Sequence, residues 1–198
     1  ATPRSWEMVD IFLKEMGGVE KAAVAIEGRL GREVASSFIT FATEAENVPS
    51  ISELMNSNND AHITQKLSEI NKMPSAWGLL SKLEQYIEAN KAYKHEEGGG
   101  EEYKEQMFNL CDKAIHIINL ACTLKEKNRK DYKEVPWGEV RESIVSYVLN
   151  FITREFNSSV LYRSKGTKRS DPLKVFLTKP AITQWRENNL EAQRRLWQ

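Results

Sequence analysis

The sequence predicts an all-α protein, a multi-helix bundle of about seven to nine helices. Three observations predict it. Apolar residues recur at three- and four-residue spacing along nearly the whole chain. Prolines stand at the heads of those stretches, where a missing N–H costs a helix nothing: Pro3, Pro49, Pro74, Pro136 and Pro180. No segment of strand length alternates apolar and polar residues. At 198 residues the chain can hold one full domain or two small ones.

The elements follow in order. Thr2 is a fitting N-cap and Pro3 a favoured first helical residue. Trp6, Val9, Leu13 and Met16 then share one helical face, and Gly17-Gly18 stops the helix. A second helix is expected from Val19 to Glu27, broken by Gly28 and Gly31. A third carries Val34, Phe38 and Phe41 on one face. Pro49-Ser50 opens a short helix through Leu54 and Met55, and residues 56–60 form a polar loop. A weaker helix carries Ile63, Leu67 and Ile70. Pro74-Ser75 opens the next, with Trp77, Leu80, Leu83 and Ile87.

Gly98-Gly99-Gly100 lies in an acidic loop and marks a division of the chain. The helix that follows, from Glu101 to Glu126, is the most apolar. Met107, Cys111, Ala114, Ile115, Ile118 and Cys122 form one face, and Leu110, Ile117, Ala121 and Leu124 widen it. Such a girdle predicts a central buried helix. Pro136-Trp137 starts another, with Val140, Ile144, Tyr147, Val148 and Phe151 in register. Residues 157–171 form a polar, basic loop, and Val175-Phe176-Leu177 is too brief to assign as a strand. Pro180 opens the last helix, which carries Ile182 and Trp185 and leads to Leu196-Trp197. Trp6, Trp77, Trp137 and Trp185 all fall on apolar faces and are expected in the core. Trp197, at the end of the chain, is expected either to fold back or to dock on a partner.

Charge and cysteine content narrow the function classes. The formal net charge is zero, so there is no general attraction to nucleic acid or membrane. The charge is nevertheless uneven. Residues 151–198 hold ten bases and four acids, a net +6, so residues 1–150 carry −6. Such asymmetry points to an acidic partner, or to the acidic part of this same chain. Cys111 and Cys122 on one helix stand roughly 16 Å apart at about 1.5 Å per residue. That is beyond disulfide reach, so both are expected as reduced thiols, which suits a cytoplasmic protein. No apolar run is long enough to span a membrane, and no signal peptide is visible.

Thr2-Pro3-Arg4-Ser5-Trp6-Glu7 resembles the start of the lid subdomain of MoxR-type AAA+ ATPases. The resemblance continues through Ile26-Glu27-Gly28-Arg29-Leu30-Gly31, Ala35 and Phe38 to Val48-Pro49. It covers roughly residues 1–55, about a quarter of the chain. It implies an AAA+ lid-like helical subdomain over 1–56, with Arg4 as its nucleotide-sensing arginine. Residues 61–198 then form a second helical domain without a family. The resemblance also implies partners: an upstream AAA+ core, neighbouring subunits in a homo-oligomeric ring, and a substrate protein. ATP and Mg²⁺ would be held by that parent protein and not by this chain alone. The first residue is Ala, inside a helix-entry motif, as in a fragment of a longer protein.

The physical chemistry is compatible with such a role. The first turn of a helix offers unpaired N–H groups and the positive end of a dipole, which favour an anion. A guanidinium adds a rigid fork of donors suited to phosphate. Supplied arginines raise phosphoryl-transfer rates by about 10³–10⁵ in the best-studied cases. Against this, Pro3-Arg4 alone is equally an ordinary surface arginine behind a helix-starting proline. The catalytic half is missing from the sequence. There is no Gly-x-x-x-x-Gly-Lys-Ser/Thr loop, Gly98-Gly99-Gly100 is followed by two glutamates, and Gly166-Thr167-Lys168 has the wrong order.

Weaker candidates have simple alternatives. Arg163, Lys165, Lys168 and Arg169 form the densest basic stretch, with Tyr162 beside it. Such a loop contacts nucleic-acid phosphates or an acidic partner, or is merely solvated. His62, His95 and His116 are far apart in sequence. His116 follows Asp112 by one helical turn, which predicts a solvated His–Asp pair and not a metal site. The sequence therefore leaves three classes open: a regulatory AAA+ part, a stand-alone helical interaction module, and a nucleic-acid-binding helical domain.

Overall fold

The computed structural model describes residues 2–91, 100–127, 135–157 and 172–196. Every regular element among them is helical. They are α1 (Pro3–Met16), α2 (Val19–Leu30), α3 (Arg32–Glu46), α4 (Ile51–Asn56), α5 (Asp60–Ser68), α6 (Met73–Lys91), α7 (Gly100–Lys127), α8 (Trp137–Ile152), α9 (Pro172–Phe176) and α10 (Pro180–Leu196). A π-helical turn, Thr153–Asn157, continues α8. Eight of these α-helices have seven or more residues, within the expected number. The basic residues Arg163, Lys165, Lys168 and Arg169, the Gly98-Gly99 loop, His95 and Trp197 lie outside the described residues.

Local chemistry fixes the first helix. Thr2 and Ser5 form a reciprocal capping box, with the Ser5 amide donating to Thr2 Oγ1 (3.3 Å) and the Thr2 amide to Ser5 Oγ (3.4 Å). At the other end Gly17 adopts φ +73°, and the amides of Gly17 and Gly18 both donate to the Leu13 carbonyl at 3.1 Å. The second helix runs longer than its glycines suggest. Gly28 stays inside α2, because one glycine costs a helix interior only about 1 kcal/mol. The break comes at Gly31, at φ +82°, a value that excludes most side chains.

The side chains gather in two cores. The smaller joins Val9, Ala22, Ile26, Leu30 and Ala35 of α1–α3, with Phe12, Leu13, Phe38 and Ile39 against it. The larger centres on α7. Phe108, Cys111, Ala114, Ile115, Ile117, Ile118 and Ala121 are completely buried there, as a wide apolar face requires. Residues of α5, α6, α8, α9 and α10 surround it, as does Leu54 of α4. The two cores therefore divide between α3 and α4, ahead of the polar loop at 56–60. Cys111 and Cys122 are both free thiols on α7. Val175-Phe176-Leu177 is no strand: Val175 and Phe176 close α9, and Phe176 is fully buried against Phe108, with ring centroids 5.5 Å apart. No described helix is long and apolar enough to cross a membrane.

Candidate functional site

Arg4 sits in the first turn of α1, exposed, and no described residue pairs with it. The cap around it is already closed. The Ser5 amide is occupied by Thr2, the Trp6 amide donates to the Thr2 carbonyl (3.3 Å), and Pro3 has no N–H. Little backbone donor capacity is left for an anion. Any phosphate contact at this helix end would fall on the Arg4 guanidinium itself. Arg4 alone is not a nucleotide site, and no three described His, Cys, Asp or Glu side chains converge as a metal cage.

Two residues beyond Arg4, the structure departs from the core expected for Trp6. Trp6 remains 40% exposed. Its ring meets Phe38 of α3 edge-on, centroids 5.4 Å apart and planes at 68°. Val34 and Phe41, expected beside Phe38 on a buried face, are likewise 40% exposed. α3 turns Ala35, Phe38 and Ile39 towards the small core and leaves the Val34–Phe41 edge outside. Trp6, Glu33, Val34, Ser37, Phe38 and Phe41 line an open cleft of about 560 Å³. Glu33 is its single charged lining residue and has no ion-pair partner among the described residues. The other tryptophans follow expectation: Trp137 is fully buried, and Trp77 and Trp185 pack partly buried on the large core.

The histidines engage carboxylates other than the one predicted. His116 Nε2 lies 2.8 Å from Asp60 Oδ1 of α5, and not against Asp112. Asp112 instead turns to the start of α10. Its Oδ1 accepts from the amides of Ala181 (3.0 Å) and Ile182 (3.2 Å), capping a helix 69 residues further on. Burial raises the Asp112 carboxyl above its ordinary range, and those two amides pull it back. His62 Nε2 lies 2.9 Å from Glu53 Oε1, and that hydrogen bond holds the Glu53 carboxyl below its ordinary range. Burial pushes the Cys111 thiol far up, so it is a packed apolar group and not a nucleophile.

A second polar cluster joins α6, α7 and the π-helical turn. The Glu155 side chain is 7% exposed and pairs with Lys91 Nζ at 2.9 Å. Tyr103 Oη donates to Glu155 Oε1 at 3.5 Å. Beside it, Arg154 pairs with Glu88, which also accepts from Tyr147 Oη at 3.1 Å. These contacts fasten the end of α8 to α6. Sequence spacing gave no sign of them, because the partners come from three separate helices.

No family model, no curated protein and no solved structure matches this chain.

Proposed function

We propose that this chain is the C-terminal regulatory and assembly part of a MoxR-like AAA+ ATPase. Arg4 senses nucleotide held by an upstream core, and the later helices engage a neighbouring subunit or a substrate protein. One observation carries the reading: an unpaired arginine is presented at the head of α1, behind a cap that fixes the helix start. A guanidinium so placed can reach a phosphate across a domain boundary without first breaking an ion pair. On this reading ATP and Mg²⁺ are held by the core, since the sequence has no phosphate loop of its own. On this reading the chain does not hydrolyse ATP by itself.

The test is Arg4→Ala and Arg4→Lys in the full-length protein, reading ATPase rate and ring formation. Both variants should lose at least about tenfold in rate, equivalent to about 1.4 kcal/mol at the transition state. Lysine should not rescue, because it lacks the bidentate fork. Unchanged rate and assembly in both variants would remove the sensing role.

A second reading is favoured by the open apolar cleft beside Trp6. The chain would then be a stand-alone helical protein-interaction module with no link to nucleotide. A parent reading frame without a phosphate loop upstream of Ala1 would select it.

A further inference from the structure

The cleft on α1–α3 combines aromatic walls with a single carboxylate. Trp6 and Phe41 each keep 40% of their surface open to solvent. Trp6 and Phe38 meet edge-on at 68°, so the pair forms a corner and not a flat stack. Phe41 follows Phe38 by three residues and lies beside it on the same side of α3. Three rings therefore border one space of about 560 Å³, within the range of about 300–1,000 Å³ usual for small-ligand sites. The face of an aromatic ring carries negative potential and attracts cations. Glu33 adds a formal negative charge to the same space. It stands one helical turn before Ser37 and about 7.5 Å along the axis from Phe38. No base lines the cleft to neutralise it.

We infer that this cleft is a site for a small organic cation bearing a quaternary ammonium group, of the choline type. The lining selects that chemistry from several directions. Glu33 repels an anion, and a neutral apolar ligand gains nothing from it. A primary ammonium brings three N–H donors and a tight hydration shell. Besides the Glu33 carboxylate, the only side chain in the lining that could receive such a donor is the Ser37 hydroxyl. A quaternary ammonium has no N–H, and methyl groups cover its charge. It can therefore rest against Trp6, Phe38 and Phe41 without leaving a donor unmet, while Glu33 supplies the counter-charge. The inference goes beyond the function proposed above and involves no nucleotide, so its failure and that of the Arg4 role are read separately.

The experiment titrates the full 198-residue chain with choline and, in parallel, with its uncharged analogue in which carbon replaces the nitrogen. Binding is read from the indole N–H resonance of Trp6, identified by its loss in Trp6→Phe. Choline should shift this signal to saturation and bind at least about fivefold more tightly than the neutral analogue. Phe41→Leu keeps an apolar wall but removes a ring. It should weaken choline about two- to fivefold and leave the neutral analogue nearly unchanged. Glu33→Gln removes the counter-charge and should have an effect of similar size, again on choline alone. Circular dichroism checks that both variants stay helical. Should Phe41→Leu unfold, Glu33→Gln decides, since its side chain is exposed. No saturable shift with choline, equal affinity for choline and the neutral analogue, or choline binding unchanged in both variants would overturn the inference. A trimethyllysine peptide that binds where choline does not would also overturn it, because the site would then read a protein tail and not a small cation.

Discussion

Gly78 of α6 lies directly against the main chain of Ala45 near the end of α3. A Cβ placed on Gly78 would stand 2.0 Å from the Ala45 carbonyl oxygen and 2.7 Å from its carbonyl carbon. The absence of a side chain therefore sets how closely α3 approaches α6. Around this crossing, α6 supplies donors to the end of α3. Ser75 Oγ donates to the Glu44 carbonyl and Lys82 Nζ to the Glu46 carbonyl, both at 2.9 Å. Lys72 Nζ reaches Glu44 Oε1 at 2.5 Å. The last carbonyls of a helix have no partner of their own and carry the negative end of its dipole. The crossing thus seats the small three-helix core, with Arg4 and the apolar cleft, on the larger bundle.

Gly78→Ala should destabilise the protein. Helix propensity alone argues the opposite, since alanine is better than glycine by about 1 kcal/mol in a helix. The clash with backbone outweighs it, because Ala45 cannot rotate away as a flexible side chain would. A net loss of about 1–3 kcal/mol is expected from urea midpoints at constant m. Gly28→Ala is the control. Nothing lies within 4 Å of a Cβ there, so the same substitution should stabilise by about 0.5–1 kcal/mol. A shift of the same sign in both variants would refute the close-approach argument.

The Asp112 cap on α10 gives a second prediction. Asp112→Ala removes the acceptor for the Ala181 and Ile182 amides and should cost about 1–2 kcal/mol. Asp112→Asn keeps an acceptor oxygen and should cost less. The pH dependence has a definite sign. Burial raises this carboxyl above 3.8, so the folded state favours its protonated form. That contribution is fully present below 3.8 and is lost as pH rises through the folded value. The asparagine variant should show a flatter stability curve across this interval. An identical curve would mean that the burial cost is not felt at this site.

How much of this was legible in the sequence differs from element to element. The start of α1 was legible because capping is local: Thr2, Pro3 and Ser5 act within one turn. The central role of α7 was legible because its apolar residues encircle most of the helix, which only a buried helix tolerates. Helical spacing groups Val34, Phe38 and Phe41 on one face, but it cannot say whether another helix covers that face. Among the described residues Phe38 is covered by the small core and Trp6, but Val34 and Phe41 are not, so an expected core edge became the cleft. Asp112 sits one turn before His116, yet its partner is a helix start 69 residues away, and no local rule reaches that far. Gly78 looks like a weakness in α6 until Ala45 is in place. Arg4 is legible as a helix-start arginine because Thr2 and Pro3 fix the turn it sits in, whereas the phosphate contact proposed for it has no counterpart among the described residues.

The His62–Glu53 contact gives the last prediction, because its acid sensitivity has a stated direction. His62 of α5 reaches back to Glu53 of α4 at 2.9 Å, with Lys66 Nζ at 3.7 Å from the same oxygen. From α7, Lys113 Nζ donates to the Ser57 carbonyl at 2.7 Å and His116 meets Asp60 at 2.8 Å, so the intervening turn is held from both sides. The hydrogen bond from His62 lowers the Glu53 carboxyl below its ordinary 4.5. A depressed carboxylate contributes stability above its unfolded value and loses it as pH falls through the folded one. Acidification below 4.5 should therefore weaken this α4–α5 contact. His62→Ala removes that dependence, so its denaturation midpoint should fall less steeply than that of the parent over the same interval. Asp60→Asn is the companion, since it breaks the His116 contact and leaves Glu53 untouched. Parallel acid limbs for the parent and His62→Ala would show that the pair adds nothing to folding, and that α4 is held by Leu54, Ile51 and Met55 packing on the large core.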